Sequence, residues 1–569
     1  MRRAISFILV LAMVGTLAAC GNTKQTENKE SSNVKESTVT SESKETQTSE
    51  EVKEPVTITL YPSNANMISG ELGGYVGEFL EEKGFKLEVW SFSDEKRNAI
   101  LASGDLPDIL YITDTVAINE LANNGQIVDF DQYMDKLPNI ANSETMRVAN
   151  NYTREYITEG GLYAIPYDVG PGRNMTDTER RAVKLNWEVY EQIGAPEFSN
   201  LEELIDVLKQ MKDAYPKAAD GTETYAMHLF NNMDTNYFYA AFGIFCVMGY
   251  DHSGLGEFVE IDMVNESYDY ILEDDSMYKY ALWYLNQLMR EGLIDPDSIT
   301  TDRTTQHKRI EAGGALAGWG GVPGYEYAGY YPAYFDEVKS TYYSAQPYGT
   351  GYIVVNAKSE NLDAVMDFVN LMADPDAILV LRSGPQGELW DIDEKGNAYV
   401  TEKGMNWWVK GETAVLESGE TYSLLNTAWI QSANAITSYG VPAGAEYWDD
   451  VLAAKADSEL NRKWQATTGY NNYLEQLKDK GGWIEDSFHN NVAKFTTPLS
   501  DDQKLVKAAA KDIIVNASWQ MVYAETDEQF EQIWDDAVKQ CEGLGVKDLY
   551  EWTVADYKEA AAKRDALEK

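Results

Sequence analysis

The side chains that most often perform chemistry are sparse in this chain. Its 569 residues include four histidines, His228, His252, His307 and His489, and no two lie within one helical turn of each other. A zinc hydrolase needs paired imidazoles on one helix face, and a phosphate-cradling loop or nucleophile elbow has its own glycine spacing. None of HExxH, CxxC, GxSxG or the Walker pattern occurs. Each histidine therefore reads as a surface residue or a satisfied core residue. One metal pattern comes close. Asp391-Ile392-Asp393-Glu394-Lys395-Gly396 leads to Glu402 at the spacing of a calcium loop. Lys395, however, places a cation where the fifth ligand belongs. A hairpin turning over Asp393–Gly396 and returning along Ala398–Thr401 is the simpler reading. The run Gly318-Trp319-Gly320-Gly321-Val322-Pro323-Gly324 is glycine-rich, but Pro323 stands where a dinucleotide fingerprint wants its third glycine. No catalytic residue, metal or cofactor is expected.

Recognition chemistry is better represented. The chain has 37 Tyr and 14 Trp against 16 Phe. Tyr and Trp combine a flat apolar face with a polar handle, which suits polar ligands that have apolar faces. Trp319 is the leading candidate, because the glycines beside it leave backbone room for a ligand; the alternative is a Trp that plugs its loop into the core. Trp283, Trp519 and Trp534 lie in helical apolar patterns and read as core. With 47 basic and 93 acidic side chains the net charge is −46. Such a surface repels phosphate backbones, so no nucleic-acid partner is expected.

The elements that must position these residues alternate between strand and helix. Val56–Leu60, Leu87–Trp90 and Asp108–Tyr111 have strand patterns. Helical patterns follow near 70–80, 95–101 and 116–122, which predicts a parallel sheet covered by helices. Ser199 with Glu202 reads as a capping box before an apolar-periodic helix. Leu282, Leu285, Leu288 and Met289 mark another helix, closed by Gly292. Gly351–Val355 reads as a buried strand, and the helix after it is expected to stop at Pro375. Phe530, Ile533, Trp534, Ala537 and Cys541 share one helical face, and a last helix runs to Lys569. The class is α/β with much added helix.

The amino terminus has the marks of export. Arg2 and Arg3 precede an apolar run to Leu17, with Ala18 and Ala19 before Cys20. This is a signal-peptide pattern over residues 1–19. Residues 21–54 hold only three valines as apolar side chains and cannot build a core, so 20–54 reads as a flexible tether with a reach on the order of 30 Å. Two cysteines, Cys246 and Cys541, remain beyond Cys20 and make no disulfide framework. Cys541 reads as a buried thiol, and a bridge between the two is left open.

Five stretches carry a resemblance. Leu17-Ala18-Ala19-Cys20 resembles the lipobox of bacterial lipoproteins. Gly104-Asp105-Leu106-Pro107-Asp108-Ile109-Leu110 with Leu121–Asp129, Gly161–Tyr167, Trp187–Pro196 and Arg309–Trp319 are similar in order and spacing to extracellular solute-binding proteins of bacterial ABC transporters, in the carbohydrate-binding branch. The sequence departs from that pattern in the residue before the Trp187 helix, which is Asn186 or Trp187, and in Leu316 where the family has methionine.

The resemblance implies a two-lobed, periplasmic-binding-protein-like α/β fold of type II, with hinge-crossing strands and extra C-terminal helices. Lobe 1 would comprise 55–168 and 332–395, and lobe 2 would comprise 169–331 and 396–569. It implies a monomer, lipid-anchored through Cys20 to the outer face of the cell membrane, that captures a mono- or oligosaccharide by hinge closure and delivers it to separate permease subunits. Tyr167 and Asp168, after the crossing strand, should face the cleft or serve the hinge. Tyr61 and Asn64 beyond the first strand, and Asp114 beyond the third, lie where ligands of open α/β sheets bind, or act as turn and cap residues. Arg173, Asp234, Tyr325 and Trp390 complete the candidate set. The rival readings are an extracellular glycoside hydrolase, whose two carboxylates would have to face each other across a cleft, and a binding protein for a peptide, a polyol or a protein partner.

Overall fold

The alternation of Val56, Thr57, Ile58, Thr59 and Leu60 becomes strand β1 (Val56–Tyr61), and the two later strand patterns become β3 (Phe85–Val89) and β4 (Ile109–Ile112). In this computed structural model, which describes residues 54–568 apart from 65–66, 68, 159, 172–180, 232–238, 320–328, 343–344, 424–428 and 486, they share a six-stranded sheet. The other members are β2 (Gly70–Glu71), β5 (Ile165–Tyr167) and β6 (Gly351–Val355), and the order is β2-β3-β1-β4-β6-β5. β1 runs parallel to β3 and β4, joined through helices α1 (Gly74–Glu82) and α2 (Asp94–Ser103). The sheet is nevertheless mixed, not parallel throughout. β6 lies antiparallel to both β4 and β5, because it arrives from a distant part of the chain and not through a strand–helix unit.

Both faces of this sheet are buried, and the period of two divides its side chains between two clusters. Ile109 and Tyr111 of β4, with Ile353 and Val355 of β6, face one core. Leu110, Ile112, Tyr352 and Val354 point into another cluster. Local chemistry holds the strands in register. Asp108 accepts from the backbone N–H of Thr59 at 2.8 Å and from its hydroxyl at 2.7 Å, and Ser359 donates to the same carboxylate at 2.6 Å. The Pro-Asp-Ile stretch is thus a structural pin. Gly104 before it is the left-handed C-cap of α2, at φ 73°.

A separate core is built from Val183, Leu185, Trp187, Leu204, Leu208, Tyr278, Leu282, Leu285, Trp319 and Trp464, among others. Its strands Val183–Asn186, Ala317–Trp319 and Tyr330–Ala333 form an antiparallel sheet with Val183–Asn186 in the middle. Asn186 is the N-cap of Trp187–Gln192, accepting from Val189 N–H, so at the position read as a departure from the family pattern an asparagine caps the helix. The next cap lies one residue later than the sequence suggested. Asn200, not Ser199, accepts from Glu203 N–H at 2.8 Å, and Glu203 returns the bond to Ser199 N–H. Pro375 opens the helix Pro375–Ser383 at its first turn, where a missing N–H costs nothing, instead of only ending the helix before it.

The C-terminal helices Asp501–Val522, Asp527–Glu542 and Val546–Glu568 complete the molecule. Phe530, Trp534, Ala537 and Cys541 are buried along one face, as the periodicity requires. Val546–Glu568 packs against the helix Glu144–Tyr152 and also against the strands Val259–Asp262 and Ser267–Tyr270. Its Tyr557 and Ala560 join Leu110, Val259, Tyr348 and Phe495 in the linking cluster. Glu568 accepts from the Tyr348 hydroxyl at 2.6 Å, and Arg564 donates to the carbonyls of Phe488 and Asn490. Cys246 and Cys541 are both free and buried, and burial pushes their thiols up to about 12 and about 11.

His228 is the satisfied core histidine anticipated from sequence, with Nδ1 3.0 Å from Asp295 Oδ2 and Nε2 2.9 Å from Gly314 O. His252, its ring 3.9 Å from that of Phe242, is held neutral by burial, which lowers its pKa to about 4; Asp251 opposes this and Arg181 reinforces it. A histidine lowered in the folded state gives stability that is full above the unfolded pKa of about 6.5 and is lost as pH falls toward 4. Glu260, raised to about 8 by burial, has the opposite pH dependence over part of that range, so the test is a difference. The stability advantage of the wild type over His252→Gln, from urea melts, should shrink by about 2–3 kcal/mol between pH 7 and pH 4.5. A constant difference would show that His252 is not held neutral by its surroundings.

Candidate functional site

Tyr167 ends β5, buried, with its ring 5.1 Å from that of Tyr111. The chain then turns through Asp168, whose backbone is left-handed at φ 59°. A non-glycine residue in that region is held there by its surroundings. Here Asp168 N–H donates to Trp429 O at 2.7 Å, Val169 N–H to Ile430 O at 3.0 Å, and Ser432 N–H to Val169 O at 2.8 Å. Gly170–Pro171 pairs antiparallel with Ala345–Gln346. Three segments far apart in sequence therefore lie side by side, 168–171 between 345–346 and 429–432. A Cβ on Gly170 would collide with the Ser432 hydroxyl, so the close approach requires glycine there.

From this junction the chain leaves the first core and enters the second at Ala182 and Val183. It returns between Val338 and Ile353, and passes over again between Val451 and Trp464. Three connections thus run between the two cores, and the cluster that packs Leu110 with Val259 also joins them.

Two tryptophans stand out beside these connections. Trp429 is 5 % exposed in the first core, and its Nε1 has no hydrogen-bond partner among the described residues. Trp319 closes the strand Ala317–Trp319 opposite Val183, is 1 % exposed, and has the same unpartnered Nε1 among the described residues. Its ring packs on Tyr284 at 6.0 Å. Gly243 lies so close that a Cβ there would sit 2.5 Å from the Trp319 Cβ. The Trp319 ring is thus seated in the core and not laid open on a glycine loop. A buried N–H without an acceptor costs about 1–3 kcal/mol, a cost usually tolerated where a function uses the group.

The remaining candidates have individual placements. The Tyr61 hydroxyl donates to Ser93 O at 2.7 Å and accepts from Ser93 N–H, so it ties the end of β1 to the N-cap of α2 instead of facing a ligand. Asp114 is the N-cap of α3 (Thr115–Asn123), accepting from the N–H groups of Val116 and Ala117, which is the cap alternative. Asn64 is half-buried in the turn after β1, and its Nδ2 donates to the Ser63 hydroxyl at 3.1 Å. Trp390 is a core residue, with Nε1 donating to Gly384 O at 2.8 Å, and it lies in the hairpin Trp390–Ile392 with Ala398–Val400. In that hairpin Asp393 accepts from Lys395 N–H, Asn397 N–H and Asn397 Nδ2, so the turn takes up the carboxylate of the calcium-like pattern. Glu402 begins the next helix. Arg173, Asp234, Tyr325 and Cys20 lie outside the described residues. The structure therefore brings Tyr167 and Asp168 together with Trp429 and Ser432, neither of which was singled out from sequence. The signal for Trp429 was slight: a tryptophan in a stretch with neither helical nor strand period.

Residues 74–378, more than half of the chain, match the family of bacterial extracellular solute-binding proteins. The chain belongs to that family. Among curated solute-binding proteins, the fructooligosaccharide ABC transporter substrate-binding protein FusA of Streptococcus pneumoniae is 24% identical over 217 residues, 37% of this chain and 38% of that one. The match thus spans well under half of the relative's length. In three dimensions the chain is similar to an HMO-binding, ABC-transporter-associated solute-binding protein of Bifidobacterium longum infantis. The TM-score is 0.57 at 17% identity, over 89% of this chain and 99% of that one. It is also similar to S. pneumoniae FusA in complex with kestose, with a TM-score of 0.52 at 16% identity over 90% and 100% of the two chains. These likenesses establish the fold, the two-lobed α/β architecture of solute-binding proteins.

Proposed function

We propose that this solute-binding protein captures a short oligosaccharide between two lobes and presents it to the membrane subunits of an ABC importer, as a monomer lipid-anchored through Cys20. The observation that carries the reading is the junction of 168–171 with 345–346 and 429–432, bordered by a buried indole N–H without an acceptor among the described residues. Sugars offer hydroxyl oxygens to such donors and apolar ring faces to aromatic planes. Ligand contacts on both lobes would favour the closed state by population shift, which the importer can then distinguish from the open state.

In this proposal the first lobe comprises 54–169 and 348–451, because Val400, Trp429, Trp448 and Val451 pack with the first core. The second comprises 182–338 and 460–545, because Ala333, Phe335, Val338 and Trp464 pack with the second. Trp429 and Asp168 line the cleft from the first lobe, and the Trp319 strand borders it from the second. Arg173, Asp234 and Tyr325 retain the ligand roles that the family resemblance implies.

Thermal unfolding of the full chain against a glycan panel tests the reading. The relatives' ligands put fructooligosaccharides and HMO first, with peptides as controls. A ligand at about 1,000 times its Kd stabilises the native state by about 4 kcal/mol. The expected result is a large upward shift in Tm with one oligosaccharide class and no hydrolysis product by chromatography. A flat response to every glycan with a shift for peptides would replace the ligand class. Turnover of the glycan would replace binding by catalysis.

A further inference from the structure

A cavity of about 170 Å³, none of whose lining residues belongs to the junction just described, lies between the helix Val546–Glu568, the turn Ser253–Glu257 and the loop 489–499. A cavity of about 150 Å³ is enough to hold a six-membered ring. Its mouth is formed by exposed Ser253, Ala493 and Thr497, so it opens to solvent, and buried Thr553, Asp556 and Tyr557 line its depth. Glu257 is paired with Lys507, and Asp556 accepts from Thr497 N–H at 2.9 Å. His489, which also lines the cavity, lies 3.1 Å from the Tyr268 hydroxyl, and burial lowers its pKa so that it stays neutral. The cavity is rich in hydroxyls and carboxylate oxygens, which can accept from the hydroxyl groups of a neutral polyhydroxy molecule. One hydroxyl is unspent: Thr553 is 2 % exposed, and its Oγ1 has no partner among the described residues. Trp552 and Tyr557 add aromatic surface to the same wall.

We propose that this cavity is a second binding site, for a small neutral polyhydroxy molecule the size of one sugar ring, with Thr553, Asp556 and Trp552 as its principal contacts. A free monosaccharide, a cyclic polyol and the end of a longer glycan all present such a ring; the chemistry is shared. The site does not depend on the cleft proposed above. Its floor is the helix whose Glu568 holds Tyr348, next to the returning connection, so an occupant would brace that helix.

Saturation-transfer NMR on the full chain with D-glucose, D-galactose and myo-inositol tests the site, with choline and calcium as charged competitors. We expect ring-proton signals from at least one of the three. Ala493→Phe, which fills the mouth from an exposed position, should abolish them, and Thr553→Val should weaken binding about three- to tenfold. Thr553→Val removes a buried hydroxyl that has no partner among the described residues and keeps the shape, so its Tm should be equal or higher. Trp429→Phe, in the proposed cleft, should leave these signals intact; loss there with retention in Ala493→Phe would assign the ring to the cleft and overturn the second site. Absence of signal from all three sugars, or survival of the signal in Ala493→Phe, would also overturn it, and displacement by choline or calcium would overturn the neutral ligand class. A reducing disaccharide that protects only its terminal ring would identify the glycan-end mode, whereas exclusion of the disaccharide would identify the free-ring mode; either supports the site.

Discussion

Trp429→Phe should weaken oligosaccharide binding about tenfold, and Trp429→Ala about 100-fold, in titration calorimetry of the full chain. The phenylalanine keeps an aromatic plane and loses only the indole N–H, a donor worth about 1–1.5 kcal/mol when its partner is a ligand hydroxyl. The alanine loses the plane as well, and buried tryptophans at the centre of an interface commonly carry 2 kcal/mol or more. The two variants differ in their structural cost. Trp429 is nearly buried in the first core, so truncation to alanine also leaves a cavity, at about 3–5 kcal/mol of stability. Phenylalanine should cost under about 1.5 kcal/mol, and the Asp168 bond survives in both because it uses the Trp429 carbonyl. Unchanged affinity in Trp429→Phe, with a normal melt, would remove Trp429 from the ligand site.

Asp295→Ala should cost about 3–5 kcal/mol in urea unfolding, the range for removing one partner from a buried ionic group. The Asp295 carboxylate meets the His228 ring at 3.0 Å and also receives Arg309 and the N–H of Asp297. Burial alone would raise its pKa, but the His228 bond, the Asp297 N–H and Arg309 together hold it below the usual carboxylate range. Loss of the carboxylate leaves a buried imidazole nitrogen and a half-buried guanidinium without their acceptor. His228 also bonds Gly314 O, three residues before the strand that ends in Trp319, so the same variant should loosen that strand. Asp295→Asn keeps one acceptor oxygen and should cost less, about 1–3 kcal/mol. A loss below 1 kcal/mol for the alanine variant would show that water replaces the carboxylate and that Asp295 does not anchor this region.

Much of the architecture was legible without coordinates. The period-two run at 56–60 and the continuous apolar run at 351–355 became strands, and the apolar spacing from Phe530 to Cys541 became a buried helix face. Such patterns are local: a strand or helix needs only the side chains of its own window to declare which face is apolar. Caps were nearly as legible, displaced by one residue at Asn200 because Asn and Ser cap comparably well and adjacent candidates compete. The motif order also pointed to the family, and within those motifs Asp108, Asn186 and Arg309 serve this fold as a strand pin, a helix cap and a partner of Asp295.

The site was not legible in the same way. Asp168 meets Trp429 across 261 positions, and the Gly170 pairing reaches residue 346; no window of sequence contains both partners. Tyr61 and Asp114 occupy the strand ends where ligands bind, yet their polar atoms are taken by Ser93 and by the first turn of α3. Residue type and position at a strand end state what a side chain is able to do, whereas a hydrogen-bonding atom can be spent only once. The sequence by itself determined the elements, their order and the family, because those follow from local periodicity and from motif spacing along one chain. Tertiary structure alone decided which polar atoms were already spent on the fold and which, at Trp319, Trp429 and Thr553, were left without a partner among the described residues, because that balance is struck between residues distant in sequence and adjacent in space.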